Sequence, residues 1–141
     1  MAQAPGATDN GAREVVLYVE DHPLNAAMMR TVFEHRPDLE LVIVVDGAAA
    51  MAATQHLRPV LLLLDLLLPD CHGTELLGRM RGVPGWEAVP AIAVTADLEF
   101  KAQGSDFMDA WHKPLRVPTL LVRLNRVLVP RPGPKRAPVP H

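Results

Sequence analysis

Asp65 stands alone in the apolar run Val60-Leu61-Leu62-Leu63-Leu64-Asp65-Leu66-Leu67-Leu68, which is closed by Pro59 and Pro69. A carboxylate in such a run is costly unless something nearby requires it. Three other short apolar runs end in polar residues that can supply the need. Val15 to Val19 leads into Glu20-Asp21, Ala91 to Val94 into Thr95-Ala96, and Met108 to His112 into Lys113-Pro114. Carboxylates gathered at one place repel unless a cation sits among them. Oxygen donors of this kind suit a hard divalent cation, Mg²⁺ above all. Lys113 adds a compact positive charge and Thr95 a hydroxyl donor. A set of this composition can neutralise and position a phosphoryl group on or beside Asp65, and phosphoryl transfer depends chiefly on those two effects. Taken singly, Glu20-Asp21 reads as an acid pair favoured at a helix N-terminus, Thr95 as a strand-end hydroxyl and Lys113 as a surface charge. Asp65 fits such a reading least.

For these residues to meet, the runs that precede them must be parallel strands ending on one edge of a sheet, where the ligands of open α/β sheets bind. The intervening segments support this. Leu24, Met28, Val32 and Phe33 recur at helical spacing between Pro23 and His35, ahead of Pro37. Leu39 to Val45 reads as a strand, and Asp46 as the N-cap of an Ala-rich helix over Gly47 to His56. A loop from Leu66 to Gly73 leads to a helix over Thr74 to Arg81, followed by a turn-rich connection with Pro84-Gly85. Asp97 to Gln103 offers about two helical turns before Gly104. Pro118 suits the first position of a last helix that runs to Val129 and places Leu121, Leu124 and Leu128 on one face. Alternating strands and helices predict an α/β fold, a doubly wound five-stranded parallel sheet with helices on both faces.

Composition sets the outer bounds. The 141 residues suit a single domain, and 49% hydrophobic with 21% charged residues is ordinary for a globular chain. No apolar stretch is long enough to span a bilayer, and Met1 to Arg13 lacks a signal-peptide core, so no membrane association and a cytoplasmic location are expected. Cys71 is the one cysteine, which excludes an internal disulfide framework. His22, Cys71 and His72 flank the same rim, yet a zinc site lacks a fourth ligand at a usual spacing. All 16 acids precede Arg131, whereas Arg131, Lys135 and Arg136 lie in a proline-rich tail. Such a tail reads as solvated chain, and no basic face marks a nucleic-acid partner. The expected division is a disordered segment over 1–12, a folded domain over 13–130 and a Pro-rich basic tail over 131–141.

Val19-Glu20-Asp21, Asp46-Gly47, Leu63-Leu64-Asp65 with Pro69 and Gly73, Val94-Thr95-Ala96 and Lys113-Pro114 together resemble the receiver domain of bacterial two-component response regulators, over about Glu14 to Val129. The stretch from Val19 to Asn25 is most similar to receivers that work with hybrid histidine kinases. The resemblance implies the flavodoxin-like receiver fold. It implies Asp65 as phosphoacceptor, Mg²⁺ held by Glu20, Asp21, Asp65 and the carbonyl of Leu67, and Thr95 and Lys113 on the phosphoryl oxygens. It also implies a histidine kinase or histidine phosphotransfer protein as partner, docking without nucleic acid, and no enzymatic activity beyond self-phosphorylation and self-dephosphorylation. Homodimerisation stays open, through the face that the family builds from its fourth helix, fifth strand and fifth helix.

Two departures from the family bear on signalling. Receivers usually carry Tyr or Phe three residues before the lysine, where this chain has Ala110, with Trp111 beside it expected as a surface or interface residue rather than a replacement gate. The interval from Thr95 to Lys113 is also shorter than in the family by about one helical turn, so the fourth helix is expected to be shortened. These departures favour the alternative of a pseudo-receiver that signals without phosphorylation, while the complete acidic and basic set opposes it. A phosphatase of the haloacid dehalogenase kind would need a second acid two residues after its nucleophile, where Leu67 stands.

Overall fold

The computed structural model describes residues 13–130; the expected disorder over 1–12 and the basic tail over 131–141 lie outside the described residues. Strands β1 (Glu14–Val19), β2 (Leu39–Val44), β3 (Leu61–Asp65), β4 (Ala91–Thr95) and β5 (Asp109–His112) are accompanied by helices α1 (Pro23–Glu34), α2 (Gly47–Ala53), α3 (Gly73–Arg81) and α4 (Val117–Val127), one after each strand except β4. All neighbouring strands are parallel, in the order β2-β1-β3-β4-β5. The unbroken apolar runs follow from this placement: β3 and β4 are buried at every residue because helices cover both faces. The order reverses at β1, so the crevice lies at the carboxyl ends of β1 and β3, which deliver Glu20 and Asp65.

Alternation along the strands divides the interior into two cores. Val16, Tyr18, Leu61, Leu63 and Trp111 pack under α1 and α4. Leu17, Val19, Leu62 and Leu64 pack on the opposite face with Leu76, Leu77 and Met80 of α3. Helix starts follow local chemistry. Pro23 occupies the first turn of α1, and Asp46 Oδ1 caps α2 by accepting from the Ala49 N–H at 2.8 Å. Arg36, 4% exposed, closes the α1 side of the molecule. Its guanidinium pairs with Asp38 and donates to Asn125 Oδ1 at 2.9 Å and to the Leu128 carbonyl at 2.7 Å.

The expected elements form, with ends shifted by a few residues at most: α2 stops at Ala53, and residues 54–56 continue as turn. The last third departs further. Asp97 to Gln103 makes no helix; the chain from Ala96 to Met108 is a series of turns, with Gly104 at φ +84. Between Asp97 and Gln103 only Phe100 and Ala102 pack on the core, at a spacing of two, and Leu98 is exposed, so no helical stripe exists to dock. An edge-to-face pair of Phe100 and Phe107, with ring centroids 5.8 Å apart, covers the sheet there instead. Trp111 is buried at 1% exposure, not at the surface, because its position in β5 points the indole under α4. Ala110 faces the other core and is partly buried.

Candidate phosphorylation and metal site

Four of the five strand ends contribute one or two residues. Glu20 and Asp21 follow β1, Asp65 closes β3, Thr95 closes β4 and Lys113 follows β5. The register sets Thr95 opposite His112, and the Lys113 N–H donates to the Thr95 carbonyl at 2.8 Å, which extends the ladder to the lysine. Glu20, Asp21 and Asp65 each present an oxygen within 4.8 Å of the others. Glu20 and Asp65 are buried, whereas Asp21 is exposed to solvent. Lys113 Nζ lies 3.1 Å from Asp65 Oδ2 and 3.2 Å from Glu20 Oε1. The lysine therefore bridges the two buried acids and partly offsets their repulsion.

Burial pushes the Asp65 carboxyl above its ordinary range. The Leu67 N–H, donating to Oδ1 at 3.1 Å, works against this, the Glu20 charge adds to it, and Lys113 lowers it again. Asp65 is thus an acid whose ionised form is held by few donors among many costs. Thr95 stands at the adjacent strand end, but its hydroxyl is engaged as acceptor of the Asp97 N–H at 2.9 Å. A hydroxyl that accepts in this way retains its own hydrogen to donate. The Leu67 side chain points outward and is 75% exposed, leaving its backbone to face Asp65.

Several supports of the site, Asp70 first among them, carry no periodic or motif signal in the sequence, whereas Gly73 belongs to the motif set. The loop from Leu66 to His72 folds back on itself through the Leu68 N–H to Cys71 carbonyl and Gly73 N–H to Leu66 carbonyl bonds. At its tip Asp70 accepts from the Gly47 and Ala48 N–H groups at 2.8 and 2.9 Å, joining the loop to the start of α2. These donors hold the Asp70 carboxyl below the usual carboxylate range. Gly73 is required for the loop to close, since a Cβ there would lie 2.6 Å from the Asp65 carbonyl oxygen and 2.9 Å from Leu66 Cα. His22 and His72 serve as helix caps: His22 Nδ1 accepts from the Leu24 N–H of α1 and His72 Nδ1 from the Thr74 N–H of α3.

The donor set fits a hard divalent cation, because three carboxylate oxygens converge with a single lysine as counter-charge. Comparison with known proteins agrees. A receiver domain of the sensor histidine kinase PA1611 from Pseudomonas aeruginosa, with magnesium coordinated in its active site cleft, superposes with a TM-score of 0.70 at 25% identity, covering 82% of this chain and 97% of that one. A manganese-bound form of response regulator Rcp1 superposes with a TM-score of 0.65 at 27% identity over 81% of this chain and 91% of that one. In sequence, Rcp1 of Synechocystis is 36% identical over 90 residues, 58% of this chain, which spans 61% of the length of Rcp1. An uncharacterised 14.6 kDa protein of Leptolyngbya boryana is 32% identical over 113 residues, covering 77% of this chain and 85% of that protein. Residues 16–125 match the response regulator receiver domain, a span that contains every strand end described above. With the parallel sheet and the family match agreeing, this chain belongs to the family of response regulator receiver domains.

Proposed function

We propose that Asp65 accepts a phosphoryl group from a phosphohistidine of a histidine kinase or histidine phosphotransfer protein, and that the phosphorylated chain signals by docking to another protein in the cytoplasm. The observation that carries this reading is the buried Asp65 carboxylate, with Glu20 and Asp21 oxygens within 4.8 Å and Lys113 Nζ at 3.1 Å. A carboxylate oxygen of Asp65 attacks phosphorus, the P–N bond breaks, and its electron pair leaves with the donor imidazole, which then takes up a proton. Glu20, Asp21, Asp65 and the Leu67 carbonyl would hold Mg²⁺, which when bound neutralises charge on the phosphoryl oxygens. Lys113, already against Asp65 Oδ2, follows that oxygen into the acyl phosphate and pairs with the new charge. Thr95 donates its hydroxyl hydrogen to a phosphoryl oxygen.

With Ala110 in β5, no aromatic ring is available at that position to swing inward. Thr95 instead connects the site to the turns beyond it, through the Asp97 N–H that its hydroxyl accepts. Recruitment of that hydroxyl and of Lys113 to a phosphoryl group changes the anchoring of residues 96–107 and orders them. The same arrangement argues against a pseudo-receiver, since every group that the chemistry needs is present.

Acetyl phosphate and Mg²⁺ supplied to the purified protein, with intact mass as readout, test the proposal. The expected result is one phosphoryl adduct in the wild type and none in Asp65→Asn. An adduct that persists in Asp65→Asn moves the acceptor elsewhere, and no adduct in a folded wild type that binds Mg²⁺ favours the pseudo-receiver. Hydrogen exchange with and without beryllofluoride tests the switch; unchanged protection over 96–107 refutes it.

A further inference from the structure

Tyr18 is a phenol where a phenyl ring would fill the space. It lies on the α1 and α4 side of the sheet, fully buried among Val16, Leu63 and other apolar side chains. A buried hydroxyl is costly unless it finds a partner. Its partner is Glu20 Oε1, to which it donates at 2.7 Å. Residues two apart on a strand share a face, so the ring runs up through the core and delivers its hydroxyl to the underside of the acid cluster.

The other contacts of Glu20 show what this bond does. The Glu20 side chain is almost wholly buried, at 1% exposure. Oε1 receives Tyr18 at 2.7 Å and Lys113 at 3.2 Å, and Oε2 receives the His22 N–H at 3.2 Å and Lys113 at 3.5 Å. The Tyr18 bond is the shortest of these. Without it, Oε1 would depend on Lys113 alone, and the lysine would be drawn toward Glu20 and away from Asp65. Burial first, then the bond to Glu20 and the charges of Glu20 and Asp65, push the Tyr18 phenol far above its ordinary value, so it remains a donor.

We infer that Tyr18 is a positioning residue for the metal centre: its hydroxyl fixes the Glu20 carboxylate toward the cation and leaves Lys113 available to Asp65. This rests on the reading of Glu20, Asp21 and Asp65 as a Mg²⁺ site, and it concerns a side chain outside that set. Outer partners that orient a ligating group commonly change metal affinity by about tenfold or more when removed.

The test compares wild type, Tyr18→Phe, Glu20→Ala and the double variant, each titrated with Mg²⁺ by calorimetry at a temperature where thermal melts show it folded. Tyr18→Phe is expected to weaken the Mg²⁺ Kd by about tenfold. It is also expected to raise the Mg²⁺ concentration for half-maximal acetyl phosphate labelling while leaving the rate at saturating Mg²⁺ near that of wild type. In the Glu20→Ala background the same substitution should have no further effect, because the hydroxyl acts through the carboxylate. An unchanged Kd in folded Tyr18→Phe, or the same loss in both backgrounds, overturns the inference. A wild type that binds no Mg²⁺ is a separate failure, since it removes the metal centre itself and the inference with it.

Discussion

Asp65→Asn should make the protein more stable when divalent cations are removed, although it deletes the proposed phosphoacceptor. A buried carboxylate within 4.8 Å of Asp65 repels it by about 3.5 kcal/mol at an effective dielectric of about 20. Glu20 acts in this way and the exposed Asp21 more weakly, while Lys113 at 3.1 Å returns about 5 kcal/mol. Burial of the charge adds a further cost, so ionised Asp65 is a net liability of the metal-free fold, on the order of 2 kcal/mol. Asparagine keeps the shape and the acceptor for the Leu67 N–H, and Lys113 retains Glu20. Thermal melts in chelator should therefore place the Tm of the variant about 5 °C above that of wild type. Saturating Mg²⁺ should reverse or erase the gap, because binding stabilises wild type by about 2.7 kcal/mol at one hundred times Kd and the variant has lost one ligand. A variant that melts below wild type in chelator would show that Lys113 outweighs the acid pair, and the electrostatic account of the site would be wrong.

Other substitutions separate the supports of the fold from those of the site. Arg36→Ala should cost about 3 kcal/mol in denaturant melts without changing Mg²⁺ affinity, since it leaves the Leu128 carbonyl and Asn125 without their donor far from the acid cluster. Gly73→Ala should be destabilised by at least about 2 kcal/mol and bind Mg²⁺ more weakly, because its methyl meets the Asp65 carbonyl at 2.6 Å and must displace the strand end. Asp70→Ala should speed hydrogen exchange at Gly47 and Ala48 and weaken Mg²⁺ binding, as the loop carrying Leu67 loses its tie to α2. Asp70 has a depressed value in the fold, so its tie is present above the ordinary aspartate value of about 3.9 and is lost only as pH falls through the lower folded value. Amide shifts of Gly47 and Ala48 followed by NMR should inflect below that ordinary value, and an inflection at or above it would contradict the assignment.

Much of the architecture was legible because buried parallel strands must be apolar throughout, and each of the central ones stops at a polar residue. Asp65 between Leu64 and Leu66 was the plainest case, and with it came Glu20, Asp21, Thr95 and Lys113. The supports were not legible for a physical reason: Tyr18, Asp70 and Arg36 work through bonds to residues whose proximity depends on the fold, and a tyrosine in an apolar strand or an aspartate after a proline has no period to betray it. Trp111 is buried where a surface or interface position was expected, because strand alternation puts it and Ala110 on opposite faces and the Trp111 face lies under α4. The segment over 97–103 has ordinary helical propensity but no apolar stripe, and docking, not propensity, decides so short an element.

The clasp at Arg36 also orders the birth of the molecule. Its partner Asn125 lies 89 residues further along the chain, so a ribosome delivers the guanidinium long before anything exists to receive it. The same timetable applies to charge. Glu20, Asp21 and Asp65 emerge first, and Lys113, the side chain that bridges two of them, follows Asp65 by 48 residues. A nascent chain that has already paired β1 with β3 thus holds its acids together with no lysine to part them, and the half-made sheet must keep that edge open to water and ions until translation brings the cation.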